Sequence, residues 1–122
     1  MESNRKFDIY ERSFSFALKT GKFVKRIPKD MILNEYSRQL IRSSGSIGAN
    51  LGEADGALTR KDFINKVGIA RREAKESHHW LKLIEGVADF DRESDLLEIN
   101  WLIKESKELL LILSSIIRNS SI

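Results

Sequence analysis

The fold is decided by the stretch Arg42-Ser-Ser-Gly-Ser-Ile-Gly-Ala-Asn-Leu-Gly-Glu-Ala-Asp-Gly56. It contains four of the seven glycines, spaced three and four residues apart, and this spacing is typical of one face of a helix. A glycine inside a helix costs roughly 1 kcal/mol relative to alanine. A row of them therefore predicts a surface that a second backbone approaches closely, as at small-residue stripes of membrane helices. The residues predicted for this close approach or for oligomer contact are Gly45, Gly48, Gly52 and Gly56.

A glycine-rich loop that cradles a phosphate is the alternative interpretation of this stretch. However, no Gly-Lys-Ser/Thr follows the glycines, and no strand pattern precedes them. The helical period also continues through the stretch, at Ile47, Leu51, Ala54 and Leu58. The pattern therefore favours a helix.

The composition is that of one soluble globular domain, spanning residues 1–122. Of these residues 41% are hydrophobic and 32% charged, which suits a folded chain with a single core. No apolar run approaches the ~20 residues of a membrane span, and we expect no signal sequence at the polar N-terminus. Cysteine is absent, so disulfides, thiolate chemistry and Cys-based zinc sites are excluded, and a cytoplasmic location is expected.

Apolar residues recur three and four positions apart in four blocks, which predicts four helices. The first block ends at Ile27-Pro28, since proline cannot continue a helix. The predicted inward residues of the first two blocks are Phe7, Tyr10, Phe14, Phe16, Ala17, Gly21, Phe23 and Val24, then Leu33, Ser37, Leu40, Ser44, Ile47, Leu51, Ala54 and Leu58. Those of the last two are Phe63, Val67, Ala70, Ala74, Ser77, Leu81, Ile84 and Ala88, then Leu96, Ile99, Ile103, Ser106, Leu110, Leu113 and Ile117.

The ends of the helices set the architecture. Thr59 is the predicted N-cap of the third helix, and Asp91 or Ser94 that of the fourth. The connections, at about 27–31, 57–60 and 89–94, are short, so consecutive helices should be antiparallel neighbours. The sequence therefore predicts an all-α protein, an antiparallel up-down-up-down four-helix bundle.

Some apolar residues exceed what one small bundle needs. Trp80 lies beside the inward stripe of the third helix, and the fourth has a second stripe at Leu102, Leu109 and Ile116. Such faces form either a protein interface or one side of a wide core. For Trp80 both interpretations stay open, whereas for the glycine stripe we favour an interface.

Two segments resemble a known family: Ser44-Gly-Ser-Ile-Gly-Ala-Asn-Leu-Gly-Glu-Ala54 and Glu73-Ala-Lys-Glu-Ser-His-His-Trp-Leu81. The chain is similar to the bacterial "four helix bundle protein" family, encoded in intervening sequences of large-subunit ribosomal RNA genes and once labelled a ribosomal protein. Phe7-Asp-Ile-Tyr-Glu-Arg12 and the break at Ile27-Pro28 match the family's first helix. Gly48 departs from the pattern, because the family often has proline before the Ala-Asn pair.

The resemblance implies further properties. The family folds as an antiparallel bundle and tends to assemble as a five-fold ring. In a related branch, the accessory protein of diversity-generating retroelements, a basic pentameric barrel binds nucleic acid and the reverse transcriptase. Most members have no established biochemical activity.

A catalytic or metal site is not expected. His78 and His79 are adjacent, so they point about 100° apart on a helix and cannot clasp one metal ion. Glu76 and His79 form one Glu-x-x-His pair, of which di-iron bundles need two. A carboxylate site that adds Glu11 and Glu53 stays a remote alternative, and nothing positions a Ser-His-Asp triad. We therefore predict a protein that is not an enzyme and binds no metal or cofactor.

Three polar residues of the family motif, Asn50, Glu53 and Glu76, suggest a structural role. Polar groups inside a bundle must be hydrogen-bonded. We interpret them as a clasp between the second and third helices, with Arg38 or Arg42 or a backbone group as partner. The alternative is that the carboxylates are merely solvated.

The positive charge clusters on the second and third helices. The candidate nucleic-acid-binding residues are Arg38, Arg42, Arg60, Lys61, Arg71, Arg72 and Lys75. The charge of one chain is only +3, but a five-fold ring would carry about +15, enough for salt-dependent binding of RNA or DNA. The alternatives are a solvated face, or an adaptor ring that binds a protein partner and no nucleic acid.

Overall fold

The computed structural model describes residues 2–120 of the backbone, with side chains from residue 9 onward. Its helices are α1 (Glu2–Arg26), α2 (Met31–Asp55), α3 (Arg60–Val87) and α4 (Glu93–Ser120). The helices α1 and α3 each pack against both α2 and α4, and no strand occurs in residues 2–120. The predicted all-α four-helix bundle is therefore confirmed.

Local sequence signals set most helix ends. The helix α1 ends just before Ile27-Pro28, as predicted. The Asp30 carboxylate accepts the amide of Leu33 at 2.9 Å and caps α2. The Thr59 hydroxyl accepts the amide of Asp62 at 3.0 Å, so the predicted N-cap of α3 is confirmed.

The predicted cap of α4 is wrong. The helix begins at Glu93, which places Asp91 too early and Ser94 already inside the first turn. The backbone carbonyl of Arg92 instead accepts the amides of Asp95 and Leu96, at 3.1 and 3.3 Å. The first turn is thus anchored by main chain rather than by either predicted side chain.

The core positions of α2 and α3 follow the predicted stripes closely. The fully or almost fully buried residues of these stripes are Leu33, Ser37, Leu40, Ser44, Ile47, Leu51, Ala54, Val67, Ala70, Ala74, Ser77, Leu81 and Ile84. Leu58 is the exception, with 97% of its surface exposed, because α2 ends at Asp55 and Leu58 lies in the loop.

The predicted inward stripe of α1 is wrong at Tyr10 and Phe14, which are exposed. The helix instead buries the adjacent stripe of Ile9, Ser13, Phe16, Thr20, Phe23, Val24 and Ile27. Ser13 can be buried because its hydroxyl donates to the carbonyl of Ile9 at 2.8 Å. The side chain of Phe7 lies outside the described residues.

The second stripe of α4 belongs to the core. Leu102 and Leu109 are fully buried, and Ile116 packs against the core, while Leu96 is exposed. The wide-core interpretation therefore holds for this helix, and these leucines offer no free interface.

Polar contacts join α1 to α4. Arg12 forms two hydrogen bonds with the Glu105 carboxylate, at 2.7 and 2.8 Å, and these bonds raise the pKa of Arg12. Arg26 pairs with Glu98 nearer the end of α1. These pairs bring together residues far apart in the sequence, so no local pattern indicated them.

Candidate functional site

An exposed apolar surface covers the outer side of α1 and α2. On α1 it consists of Tyr10, Phe14 and Leu18, spaced four residues apart, and on α2 it includes Ile41. Phe14, Leu18 and Ile41 keep 58%, 51% and 50% of their surface exposed. Together with Gly45, Gly48 and Gly52, which continue the line of Ile41, these four residues are named the α1–α2 face.

The glycines of this face lie beside the α1 side chains but leave space above them. A Cβ atom built on Gly52 would lie 3.8 Å from the Tyr10 ring, and one on Gly48 would lie 4.0 Å from the Phe14 backbone nitrogen. A Cβ on Gly45 would meet no atom within 4 Å. The predicted close approach is therefore absent at Gly45 within the chain, and at Gly48 and Gly52 the contacts with α1 are ordinary.

Gly56 does not belong to the helical glycine row. It is the residue after α2, and its amide donates to the Glu53 carbonyl at 3.2 Å. None of the described glycines has a positive φ, so backbone conformation does not require them. The prediction that Gly56 serves a close approach is wrong, because the helix ends one residue earlier.

Trp80 is half-buried rather than free. Its ring lies 5.8 Å from that of Tyr36 on α2 and packs against the hydrophobic core. His79 contacts the edge of the same indole, with ring centroids 5.0 Å apart. The packing of Trp80 is therefore explained within one chain, and it does not support an open contact surface.

The polar clasp between α2 and α3 is centred on Arg42. Its guanidinium lies 2.8 Å from a Glu76 carboxylate oxygen and 3.4 Å from one of Glu73. The Asn50 amide instead donates to the Ser46 carbonyl of its own helix at 2.8 Å. Glu53 is exposed and lies 4.0 Å from Lys66. The three motif residues therefore have separate partners and do not form one cluster.

The seven candidate basic residues do not form one patch either. Arg42 is engaged with Glu73 and Glu76, and Arg38 bonds Glu35 on its own helix at 3.1 Å. The bonds from Gln39 and Arg38 lower the pKa of Glu35. Arg38 and Arg42 are thus largely neutralised.

On α3, Arg71 turns towards α4, where its Nε donates to the Ser114 hydroxyl at 2.7 Å. Arg60 is exposed in the first turn. Lys61, Arg72 and Lys75 are exposed, and none pairs with a carboxylate among the residues whose side chains are described. Their separations of 11 and three residues place them on one side of the helix. These three residues are named the α3 basic row.

The two histidines have different surroundings. His78 is half-buried against α4, with Nδ1 3.1 Å from the Ser106 hydroxyl, whereas His79 is exposed. Between residues 9 and 120, no three side chains of His, Cys, Asp or Glu are placed to hold a metal ion. None of the four helices, as far as they are described, is long and apolar enough to cross a membrane.

The sequence reasoning missed Leu18 and Ile41 as surface residues and placed Tyr10 and Phe14 in the core. A signal was available, because Tyr10, Phe14 and Leu18 repeat at the four-residue spacing of a helix face. The same helix offered a second stripe through Phe16 and Phe23, and periodicity alone does not say which one faces inward.

These features define a class: a small four-helix bundle with an open apolar face on its first two helices. Within this class, the chain belongs to the 23S rRNA-intervening sequence protein family, whose model matches residues 5–115. The resemblance seen in the sequence is thus confirmed.

A solved structure supports the same assignment. It is that of a protein of unknown function from the S23 ribosomal protein family of Bacteroides thetaiotaomicron, and its TM-score with this chain is 0.75. The two are 34% identical, and the match covers 93% of this chain and 97% of the other. Among curated proteins no significant match was found.

Proposed function

We propose that the protein is a non-enzymatic module that assembles with copies of itself through the α1–α2 face. The observation that carries this proposal is the exposure of Phe14, Leu18 and Ile41 beside an open row of glycines. Contiguous exposed apolar surface marks an interaction site. The glycines would let a helix of a second copy approach closely, as small residues do elsewhere.

The five-fold ring implied by the family resemblance is the assembly we favour. In such a ring the charge of each copy adds to that of the others, which strengthens attraction to the phosphates of nucleic acid. The unpaired α3 basic row is where we place this contact. Binding of this kind would be indifferent to sequence, since phosphate contacts carry no base information.

A substitution at Gly45 tests the assembly. Leucine fits there without disturbing the isolated chain, because no atom lies within 4 Å of the added Cβ, yet it fills the space that a second copy would occupy. We expect Gly45→Leu to be a helical monomer of 14.0 kDa in light scattering, while the wild type has several times that mass.

Gly68→Leu is the matched control. Gly68 also lies inside a helix with no atom within 4 Å of an added Cβ, but on α3, away from the α1–α2 face. It should keep the wild-type mass. If Gly45→Leu assembles as the wild type does, the α1–α2 face is not the interface.

The alternative is an adaptor ring that binds a protein partner and no nucleic acid. Leu97 and Leu111 on α4, both exposed, are apolar positions that such a partner could contact. The cysteine-free sequence is compatible with the cytoplasmic location that either function requires.

A further inference from the structure

A groove between α3 and α4 has the lining of a small anion site. It is formed by His78, Ile103, Lys104, Lys107 and Glu108, and its volume of about 470 Å³ is ample for an ion with four oxygen atoms. No residue of the α1–α2 face or of the α3 basic row lines it. Whatever it binds is therefore independent of the assembly and nucleic-acid proposals above.

The contacts of His78 determine where its proton lies. Nδ1 is 3.1 Å from the Ser106 hydroxyl and 3.3 Å from the Ile103 carbonyl. The Ser106 hydroxyl already donates to that same carbonyl, at 2.8 Å. Both neighbours of Nδ1 therefore accept, so the neutral ring carries its proton on Nδ1 and keeps Nε2 as an acceptor.

The charges around the groove favour an anion. Lys104 and Lys107 are exposed, and neither pairs with any described carboxylate. Glu108 is the one carboxylate of the lining, and the Arg12 guanidinium of α1 attracts it. The two ammonium groups thus exceed the negative charge that faces them.

The acceptor on His78 narrows the choice of anion to one that also carries a proton. Hydrogen phosphate offers negative oxygens to the lysines and a hydroxyl to Nε2, whereas sulfate has no hydroxyl at neutral pH. A phosphomonoester, with a second pKa of about 6, is largely without that proton at neutral pH, and a phosphodiester never has it. We propose that the α3–α4 groove binds free hydrogen phosphate, whose hydroxyl donates to Nε2 of His78 while Lys104 and Lys107 bond its other oxygens.

Nuclear magnetic resonance of the full chain tests this proposal with inorganic phosphate at neutral pH. The ring signals of His78 should move and saturate, while those of His79, exposed on the same helix, should stay. Sulfate and a nucleoside 5′-monophosphate at equal ionic strength should bind roughly tenfold more weakly, because each lacks one hydrogen bond. Equal responses to phosphate and sulfate, or equal responses of the two histidines, would overturn the proposal.

Two variants separate the roles of the lining. His78→Asn keeps a donor near Ser106 but removes the nitrogen in the Nε2 position, so the preference for phosphate over sulfate should be lost. Lys107→Gln should weaken both anions alike. His79→Asn is the control and should retain the wild-type preference; if it loses the preference as His78→Asn does, the groove is not the site.

Discussion

At the scale of single residues, Arg42 makes the contact that joins α2 to α3. It lies between two carboxylates that differ in burial, since the side chain of Glu73 is only 12% exposed while that of Glu76 is much more open. A nearly buried carboxylate without a cation is costly, whereas an exposed one is solvated. The Glu73 contact should therefore matter more to stability than its longer distance suggests.

Replacing Arg42 by alanine tests this difference. The substitution leaves Glu73 without its cation, and we expect a loss of about 1–3 kcal/mol of unfolding free energy in a denaturant titration. The matched change is Arg38→Ala, which removes an exposed pair with Glu35 and should cost less than about 0.5 kcal/mol. Equal losses for the two variants would show that Glu73 is adequately solvated.

Residue partners were the part of the site least accessible to sequence reasoning. The motif spacing correctly indicated that Asn50 and Glu53 are neighbours on one helix, but not that Asn50 turns back to the Ser46 carbonyl. The partner of a polar side chain depends on how the helix is rotated against its neighbours. A single sequence does not contain that rotation.

At the scale of helices, local chemistry allowed most of the fold to be predicted. Pro28 and Thr59 mark the end of α1 and the start of α3, and the apolar stripes of α2 and α3 face inward as predicted. The helix α1 differs because it carries two competing stripes. The stripe with the larger apolar residues lies outside, and the buried one includes Ser13 and Thr20.

The helix α3 offers a direct measurement of what an open glycine costs. Gly68 lies inside it without a positive φ, and an added Cβ would meet no atom within 4 Å. We expect Gly68→Ala to raise the free energy of unfolding by about 0.5–1 kcal/mol, the usual difference in helix propensity. A loss of stability in thermal unfolding would mean that a neighbour lies closer than the structure shows.

At the scale of the whole molecule, the charge of +3 is too small to bind nucleic acid unless copies combine it. Assembly and electrostatic binding are therefore linked in this account. The α3 basic row is the charged surface with the fewest internal partners, since Arg38 and Arg42 are occupied by glutamates. Repetition in a ring would turn three weak contacts per chain into many.

Charge reversal on α3 tests the contact with nucleic acid. Arg72→Glu combined with Lys75→Glu should abolish retention of RNA at low salt while helicity and mass stay unchanged, because the loss is electrostatic. Lys22→Glu combined with Lys25→Glu makes the same change of net charge on α1 and should weaken retention only partly. If the wild type retains no RNA even at ~50 mM salt, the adaptor function replaces this one.

The central claim is that the α1–α2 face is covered by a second copy of the chain. The most direct measurement is the mass of the wild-type protein in solution, by light scattering at micromolar concentration. The account predicts several times 14.0 kDa, with five copies as the favoured number. A single species of 14.0 kDa would contradict it, because Phe14, Leu18 and Ile41 would then remain exposed in the working protein.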